Sequence, residues 1–256
     1  MTTAIILAAG QGKRLGRYTR QLPKALVRVV GRSLLDWHLA ALAACGIRSV
    51  IVVGGYRADQ LRRDGVDLVV SPHWKTLGPL ASLLAARPSR LREPFLVVYG
   101  DCVHHPENLR RLLDSPAEVA VAGDRAWRAL WTARHAEPLF DVETYRHRDG
   151  RLVAIGARPV QEEDVEAQFA GLLRFSPAGW RSVERVLDAS CEPPGDMTAL
   201  LAALLDRGIA VADVPIRGRW CEVDTAHDLA LYRRRLRDPL PWLHDWRASD
   251  GDERCR

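Results

Sequence analysis

The chain has 256 residues, 47% hydrophobic and 27% charged, an ordinary globular balance that excludes a fibrous or wholly disordered chain and suits one large α/β domain. Its 37 Lys and Arg against 32 Asp and Glu leave a formal charge of +5. That surplus fits a polyanionic small ligand, but no basic block interleaved with aromatics occurs, so nucleic acid is not an expected partner. Cys45, Cys102, Cys191, Cys221 and Cys255 form neither a C-x-x-C pair nor a zinc spacing, which reads as reduced thiols in a cytoplasmic protein. No stretch approaches ~18 consecutive apolar residues, so no membrane span is expected.

In chain order, the apolar run over residues 4–7 predicts a strand buried on both faces. It lacks a basic flank and leads straight into a Gly-rich loop, unlike a targeting segment. Residues 34–44 predict a helix stopped at Gly46. A second buried strand is expected over 49–53, a short helix over 59–63, a third strand over 68–70, a helix over 79–86 and a fourth strand over 95–99. This alternation implies a doubly wound, mostly parallel sheet. Ligands of such sheets lie beyond the carboxyl ends of the strands. The second half is less regular. Strands are expected over 118–122, 151–155, 171–175, 210–214 and 220–223, with helices over 178–187, 198–206 and 224–235. The expected organisation is one domain over 1–236, with a nucleotide half over about 1–115 and an acceptor and metal half over about 116–236. A smaller acceptor-binding insertion sits within it. The tail over 237–256 lacks periodicity, and it either frays or packs its tryptophans on the body or on a partner.

The loop Leu7-Ala8-Ala9-Gly10-Gln11-Gly12-Lys13-Arg14 follows the first strand. Its glycines let backbone N–H groups approach phosphates, and Lys13 and Arg14 add positive charge. It has neither G-x-x-x-x-G-K-[ST] nor the third glycine of G-x-G-x-x-G, which disfavours P-loop proteins and dinucleotide oxidoreductases. A Gly-rich loop alone is equally well an ordinary turn. Gly100-Asp101 ends an apolar strand on the ligand edge, and in an extended Trp220-Cys221-Glu222-Val223-Asp224 the two acids share a face. Taken alone, the first reads as an Asx turn and the second as a solvated face or helix cap.

The run LAAGQGKRLGRYTRQLPKALVRVVGRSLLDWHLAALAACGI resembles the signature of the sugar-phosphate and small-alcohol-phosphate nucleotidyltransferases: L-A-A-G-x-G-x-R-L, then P-K, then a helix closed by G-I. Trp220 to Leu229 is similar to their W-x-E-[IV]-D-x-x-x-D-L motif, and most like that of phosphocholine and phosphonate cytidylyltransferases. The resemblance implies a Rossmann-like fold and transfer of a nucleoside monophosphate from an NTP with release of pyrophosphate. It implies that the backbone of Leu7, Ala8, Ala9, Gly10, Gln11, Gly12 and Lys13 cradles the nucleotide. Arg14 would bind the leaving pyrophosphate, and Lys24 the α-phosphate and the incoming oxyanion. Asp101 and Asp224, with Glu222, would hold Mg²⁺, a cation that takes hard oxygen ligands. Asp228 is expected in the first turn of the following helix. Gly55, Tyr56, Gly78 and Ser82 are expected near the base.

Weaker similarities over 167–176 and 196–201 favour CTP as donor and a small phosphonate or phospho-alcohol as acceptor. Lys24, Lys75, His104, Arg128 and Gly171 are the expected acceptor contacts. No aromatic and acidic cage is evident around Asp101, whereas Lys75, Arg125, Arg128, His104 and His105 are. This favours an acceptor with extra negative charge, such as phosphonoformate, beside aminoethylphosphonate. The rival readings are a sugar-1-phosphate nucleotidyltransferase, a molybdenum-cofactor transferase (disfavoured by P-K-A-L-V and W-C-E-V-D), and an inactive nucleotide-sensing subunit. A homodimer is compatible with each.

Overall fold

Residues 2–192 and 194–247 are described by the computed structural model. The strands are β1 (Thr3–Ala8), β2 (Arg28–Val29), β3 (Arg32–Ser33), β4 (Ser49–Gly54), β5 (Asp67–Val70), β6 (Phe95–Tyr99), β7 (Cys102–His104), β8 (Val119–Asp124), β9 (Tyr145–Arg148), β10 (Arg151–Ile155), β11 (Gln168–Phe175), β12 (Ala212–Ile216) and β13 (Trp220–Glu222). The helices are α1 (Leu34–Ala44), α2 (Pro79–Ala85), α3 (Pro106–Leu113), α4 (Trp127–Arg134), α5 (Pro177–Asp188), α6 (Met197–Asp206) and α7 (Ala226–Arg235).

Nine strands form one sheet in the order β5-β4-β1-β6-β11-β8-β12-β10-β9. The pairing makes β11 and β10 run against the other seven, so the sheet is mostly parallel. β1 shows why an unbroken apolar run makes a central strand. Ala4, Ile6 and Ala8 join the core layer that also contains Leu34, Leu42, Leu109 and Leu229. Ile5 turns to the opposite layer with Leu83, Val183 and Leu200. Alternate side chains thus enter two cores, and each buried Leu or Ile contributes about 1.5–3 kcal/mol of transfer free energy.

The helix starts are written in the sequence. The side chains of Ser33, Asp196 and Thr225 accept backbone N–H groups of Asp36, Ala199 and Asp228, each a cap for an otherwise unpaired donor.

Several expectations shift. The short helix over 59–63 is a single 3₁₀ turn, Ala58–Leu61, with Arg62 already leaving it. The strand expected over 210–214 runs from Ala212 to Ile216 and includes Pro215. β10 meets β12 only at Arg151↔Ala212, so around Pro215 no ladder bond from that side is lost. The helix expected over 224–235 begins at Ala226, because Thr225 is its cap and Asp224 is drawn out of it. α3, α4, β7 and β9 were not expected from periodicity; they are short, and α3 is set by His105, whose ring nitrogen accepts the Glu107 N–H.

The aperiodic tail is packed as far as residue 247. Trp246 meets Trp37 and Tyr232 edge-on. The Arg219 N–H donates to Leu243 O at 2.8 Å, and the Cys221 thiol lies 3.4 Å from His244 O. The tail therefore braces β13. The remainder of the predicted tail, with Cys255, lies outside the described residues. Among the described residues, no helix is long and apolar enough to cross a membrane.

Candidate active site

After β1 the chain turns at Gly12, whose φ of 71° is left-handed, and continues as a 3₁₀ segment, Lys13–Thr19. The Thr19 hydroxyl donates back to Gly12 O at 2.8 Å, and buried Leu15 anchors the segment in the core. A Cβ at Gly12 would stand 2.9 Å from Lys24 Cγ. Glycine is thus required here twice, for conformation and for the space that the Lys24 side chain fills.

Pro23 holds an extended conformation and Lys24 opens a 3₁₀ turn. The lysine runs beneath the loop, and its Nζ lies 2.6 Å from Asp101 Oδ2 and 2.6 Å from Asp224 Oδ1. Arg14, largely exposed, pairs with the other oxygen of Asp224. Asp101 and Asp224 are 123 positions apart in sequence, and a two-stranded ribbon closes that gap. β13 pairs antiparallel with β7 so that Glu222 faces Cys102 and Trp220 faces His104. The Val223 N–H then donates to Asp101 O at 2.9 Å. One oxygen each of Asp101, Glu222 and Asp224 lie within 4.8 Å of one another. Three hard oxygen donors at one point fit Mg²⁺ by their chemistry, and the Lys24 ammonium between two of them marks where positive charge is wanted.

The third acid is held from elsewhere. Arg134, wholly buried at the end of α4, donates to Glu222 Oε2 at 2.8 Å and to Asp228 Oδ1 at 3.0 Å. Its guanidinium lies over the Trp131 ring. The other oxygen of Asp228 accepts the N–H groups of Asp224 and Thr225. Asp228 therefore does more than sit favourably in a first helical turn: it closes a capping box and links Arg134 to the Asp224 backbone.

These contacts set the charges. Burial would lower Lys24, but Asp101, Asp224 and Glu222 override it and hold the ammonium above its ordinary range. Burial would raise Asp101, but Lys24 more than offsets this and holds the carboxyl low. Burial raises Glu222 to about 7; Arg134 opposes the rise, while Asp101 and Asp224 add to it.

One hollow borders the glycine loop and another borders the carboxylates. The smaller, about 360 Å³, is lined by Gln11, Gly12, Lys13, Trp74 and Lys75. Tyr56 leans on Trp74, with ring centroids 5.6 Å apart, and its N–H donates to Ala9 O at 3.0 Å. A Cβ at Gly55 would strike Trp74 at 2.4 Å, so the strand end and the loop are in contact. Gly78 precedes α2, and Ser82 is buried inside it. The larger hollow, about 440 Å³, opens beside Glu222 and Asp224 and is lined by Trp131, Phe140, Glu143, Phe169, Gly171 and Asp196 among others.

The expected acceptor contacts divide. Gly171 lines the larger hollow, at a left-handed φ of 66° with Cys102 against it. Lys75 belongs to the smaller hollow, over the Trp74 ring. His104 is buried behind the ribbon, stacked on Trp220, where burial lowers its pKa to about 3; a desolvated neutral imidazole in the core cannot greet an anion. His105 is spent on capping α3. Arg128 is exposed and pairs with Glu162, and Arg125 pairs with Asp213. The aromatic and acidic groups not evident near Asp101 in sequence are present in space: Glu143, Asp196, Phe140 and Phe169. Sequence reasoning did not single out Arg134, Glu143 or Trp74. Asp196 appeared only within a segment of family likeness, where its evident duty is that of a helix cap.

Residues 4–253 match the family described as MobA-like NTP transferase domain, and the chain belongs to that family of nucleotidyltransferases. It is 29% identical over 245 residues to a CTP:phosphoglutamine cytidylyltransferase of Campylobacter jejuni, covering 88% of this chain and 97% of that protein. It is 36% identical over 135 residues to a CMP-5'-(3-aminopropyl)phosphonate synthase of Streptomyces rubellomurinus, covering 50% of this chain and 21% of that much longer protein. The fold matches that of an inositol-1-phosphate CTP transferase from T. maritima with a TM-score of 0.73 at 20% identity, covering 94% of this chain and 98% of that one.

Proposed function

We propose that this member of the MobA-like NTP transferase family is a magnesium-dependent cytidylyltransferase that couples CMP from CTP to a small phosphonate or phospho-alcohol and releases pyrophosphate. The observation that carries this reading is the convergence of Asp101, Glu222 and Asp224 on one point, bridged by Lys24 beneath the glycine loop. CTP is favoured because cytidylyl transfer recurs in the names of the relatives.

In this reading the backbone of Ala9, Gly10 and Gly12 receives the triphosphate, and Tyr56, Gly78 and Ser82 border the base. Arg14, largely exposed and paired with Asp224 at the mouth, binds the leaving β- and γ-phosphates. Asp101 and Asp224, with Glu222, hold the Mg²⁺, which when bound neutralises triphosphate charge. An oxygen of the acceptor attacks the α-phosphorus, a P–O bond forms, and the bond to pyrophosphate breaks. That oxygen is already ionised, so no general base is needed. Two unit charges ~4 Å apart repel by about 4 kcal/mol at an effective dielectric near 20. Lys24, fixed between its carboxylates, stands ready to offset that repulsion without reorganising. A cytoplasmic setting is consistent with the free thiols of Cys45, Cys102, Cys191 and Cys221, and a homodimer is compatible with this scheme.

The test is a matrix of CTP, UTP, GTP, ATP and dTTP against phosphonates, phospho-alcohols and sugar 1-phosphates, read by pyrophosphate release. Turnover confined to CTP with small phosphorus oxyacids is expected. Turnover only with sugar 1-phosphates, or none with any pair, overturns the reading.

A further inference from the structure

The nine-stranded sheet ends in two edges, and the chain treats them differently. At β9 the edge is covered. Tyr145 bridges to Val165, the Glu166 N–H donates to Tyr145 O at 2.9 Å, and the Glu166 side chain accepts the His147 N–H at 2.8 Å. At the opposite edge β5 pairs with β4 in unbroken parallel register from Asp67 to Val70. The Ser71 N–H donates to Gly54 O at 2.8 Å, which fixes the parity of that ladder. In a parallel pair the N–H and C=O of one residue point to the same side, and successive residues alternate. Asp67 and Val69 therefore face β4, while the N–H and C=O groups of Leu68 and Val70 point outward. Among the described residues nothing pairs with those outward groups.

Strand edges left open to solvent are usually blunted by a lysine, a proline, a bulge or a covering segment. β5 carries no lysine, proline or bulge, and Val70 at its end is 57% exposed. A groove continues from it, lined by Val69, Val70, Pro72, Leu84, Arg87 and Arg90 among others, with Leu84 42% exposed. Charge is divided along the same edge. Among the described residues, Arg87 and Arg90 in the groove have no ion-pair partner, and neither do Asp64 and Asp67 at the start of the strand.

We infer that the β5 edge is the interface of a two-fold dimer, in which a second copy of this chain adds its own β5 antiparallel and joins the two sheets. The register that uses all of the outward groups pairs Leu68 with Val70 of the partner subunit, with the axis at Val69. It carries Asp67 across from Ser71 of the partner subunit, beside the groove that holds Arg87 and Arg90. A two-fold axis repeats each contact, so the acidic strand start of either copy meets the basic groove of the other. The edge is complementary to itself in hydrogen bonding, in apolar surface and in charge, and this selects a second copy over an unrelated chain. Pairing stops at Pro72, which has no N–H to give. The loop that follows carries Trp74 and Lys75, so the interface adjoins a wall of the smaller hollow. None of this depends on which reaction the site performs.

The test is the oligomeric state of the full chain, read by sedimentation velocity over a series of protein concentrations reaching a few hundred micromolar. A monomer–dimer equilibrium is expected, with hydrogen-exchange protection of the Leu68 and Val70 amides that rises with concentration. Val70→Pro removes an outward N–H and no bond to β4, and should weaken the dimer by at least about tenfold. Asp67→Arg, on an exposed side chain, should weaken it by about as much, because it sets like charges against the groove. Adding Arg87→Asp and Arg90→Glu to Asp67→Arg should restore association, since the two charge sets are then exchanged. Far-UV circular dichroism and Tm report whether each variant is folded, and if Val70→Pro does not fold, the charge exchange carries the test. A chain that stays monomeric throughout, or a dimer that neither Val70→Pro nor Asp67→Arg weakens, overturns the inference.

Discussion

The hollow at the glycine loop and the hollow at the carboxylates have opposite chemical characters. The one under the glycine loop is walled by Lys13, Lys75 and backbone, with Trp74 as its aromatic floor. The one across the triad is walled by Glu143, Asp196 and phenylalanines. Between them Lys24 and Arg14 meet Asp101 and Asp224. A net charge of +5 averages over this division and hides it. Much of the arginine surplus is spent away from the cleft, with Arg128 on Glu162 and Arg125 on Asp213. Charge in such a site is allotted by position, and neighbouring walls of one cleft can carry opposite sign.

The sharpest way to break this comparison is at the divide. Lys24→Ala is expected to lower turnover by about 10³-fold, because a preorganised cation aimed at developing charge is lost; Asp101→Asn is expected to do the same. Pyrophosphate release at the wild-type rate by either variant would show that the divide is not the reacting centre. Next is Arg134→Met, which leaves Glu222 and Asp228 buried without their partner. A loss of about 3–5 kcal/mol is expected in urea unfolding, and a loss below about 1 kcal/mol would mean that Arg134 does not hold the third acid in place.

A smaller effect is expected from pH. With its carboxyl raised to about 7, Glu222 favours its protonated form in the fold. Its contribution to stability is therefore present at low pH and lost as pH rises through about 7. A metal needs the carboxylate, so Mg²⁺ affinity should strengthen by about tenfold from pH 6 to pH 8, measured by the Mg²⁺-induced rise in Tm. A flat profile would remove Glu222 from the set. Smallest is Thr225→Ala, which removes the cap of α7 and should cost about 1 kcal/mol in the same urea assay. No change in midpoint would separate the capping box from the Asp224 turn.

The site was unevenly legible. Lys24 stood in the P-K pair, and Asp101 and Asp224 stood in strand-end motifs whose neighbours could be matched at fixed spacing. Arg134 and Glu143 carry no such mark. Each is one of several charged residues between β8 and β9, Arg134 at the end of the short α4 and Glu143 before β9, and an arginine or glutamate there reads as solvated. His104 misled in the opposite direction: it stands three residues after Asp101, but β7 turns its ring into the core against Trp220. Adjacency in sequence to a site residue does not imply adjacency to the ligand when a strand alternates its side chains.

The linear chain was enough to specify β1, α1, β4, β5, α2 and β6 in the first half, and the short motifs that carry the family likeness. Apolar periodicity, glycines and caps act within a few residues of one another, so their consequences are local. The meeting of Asp101 with Asp224, the reach of Arg134 to Glu222 and the acidic lining beyond them depend on contacts between positions 55 to 123 residues apart. Those contacts are set by sheet order, ribbon register and the packing of the tail, which emerge from long-range burial and leave no short pattern to read.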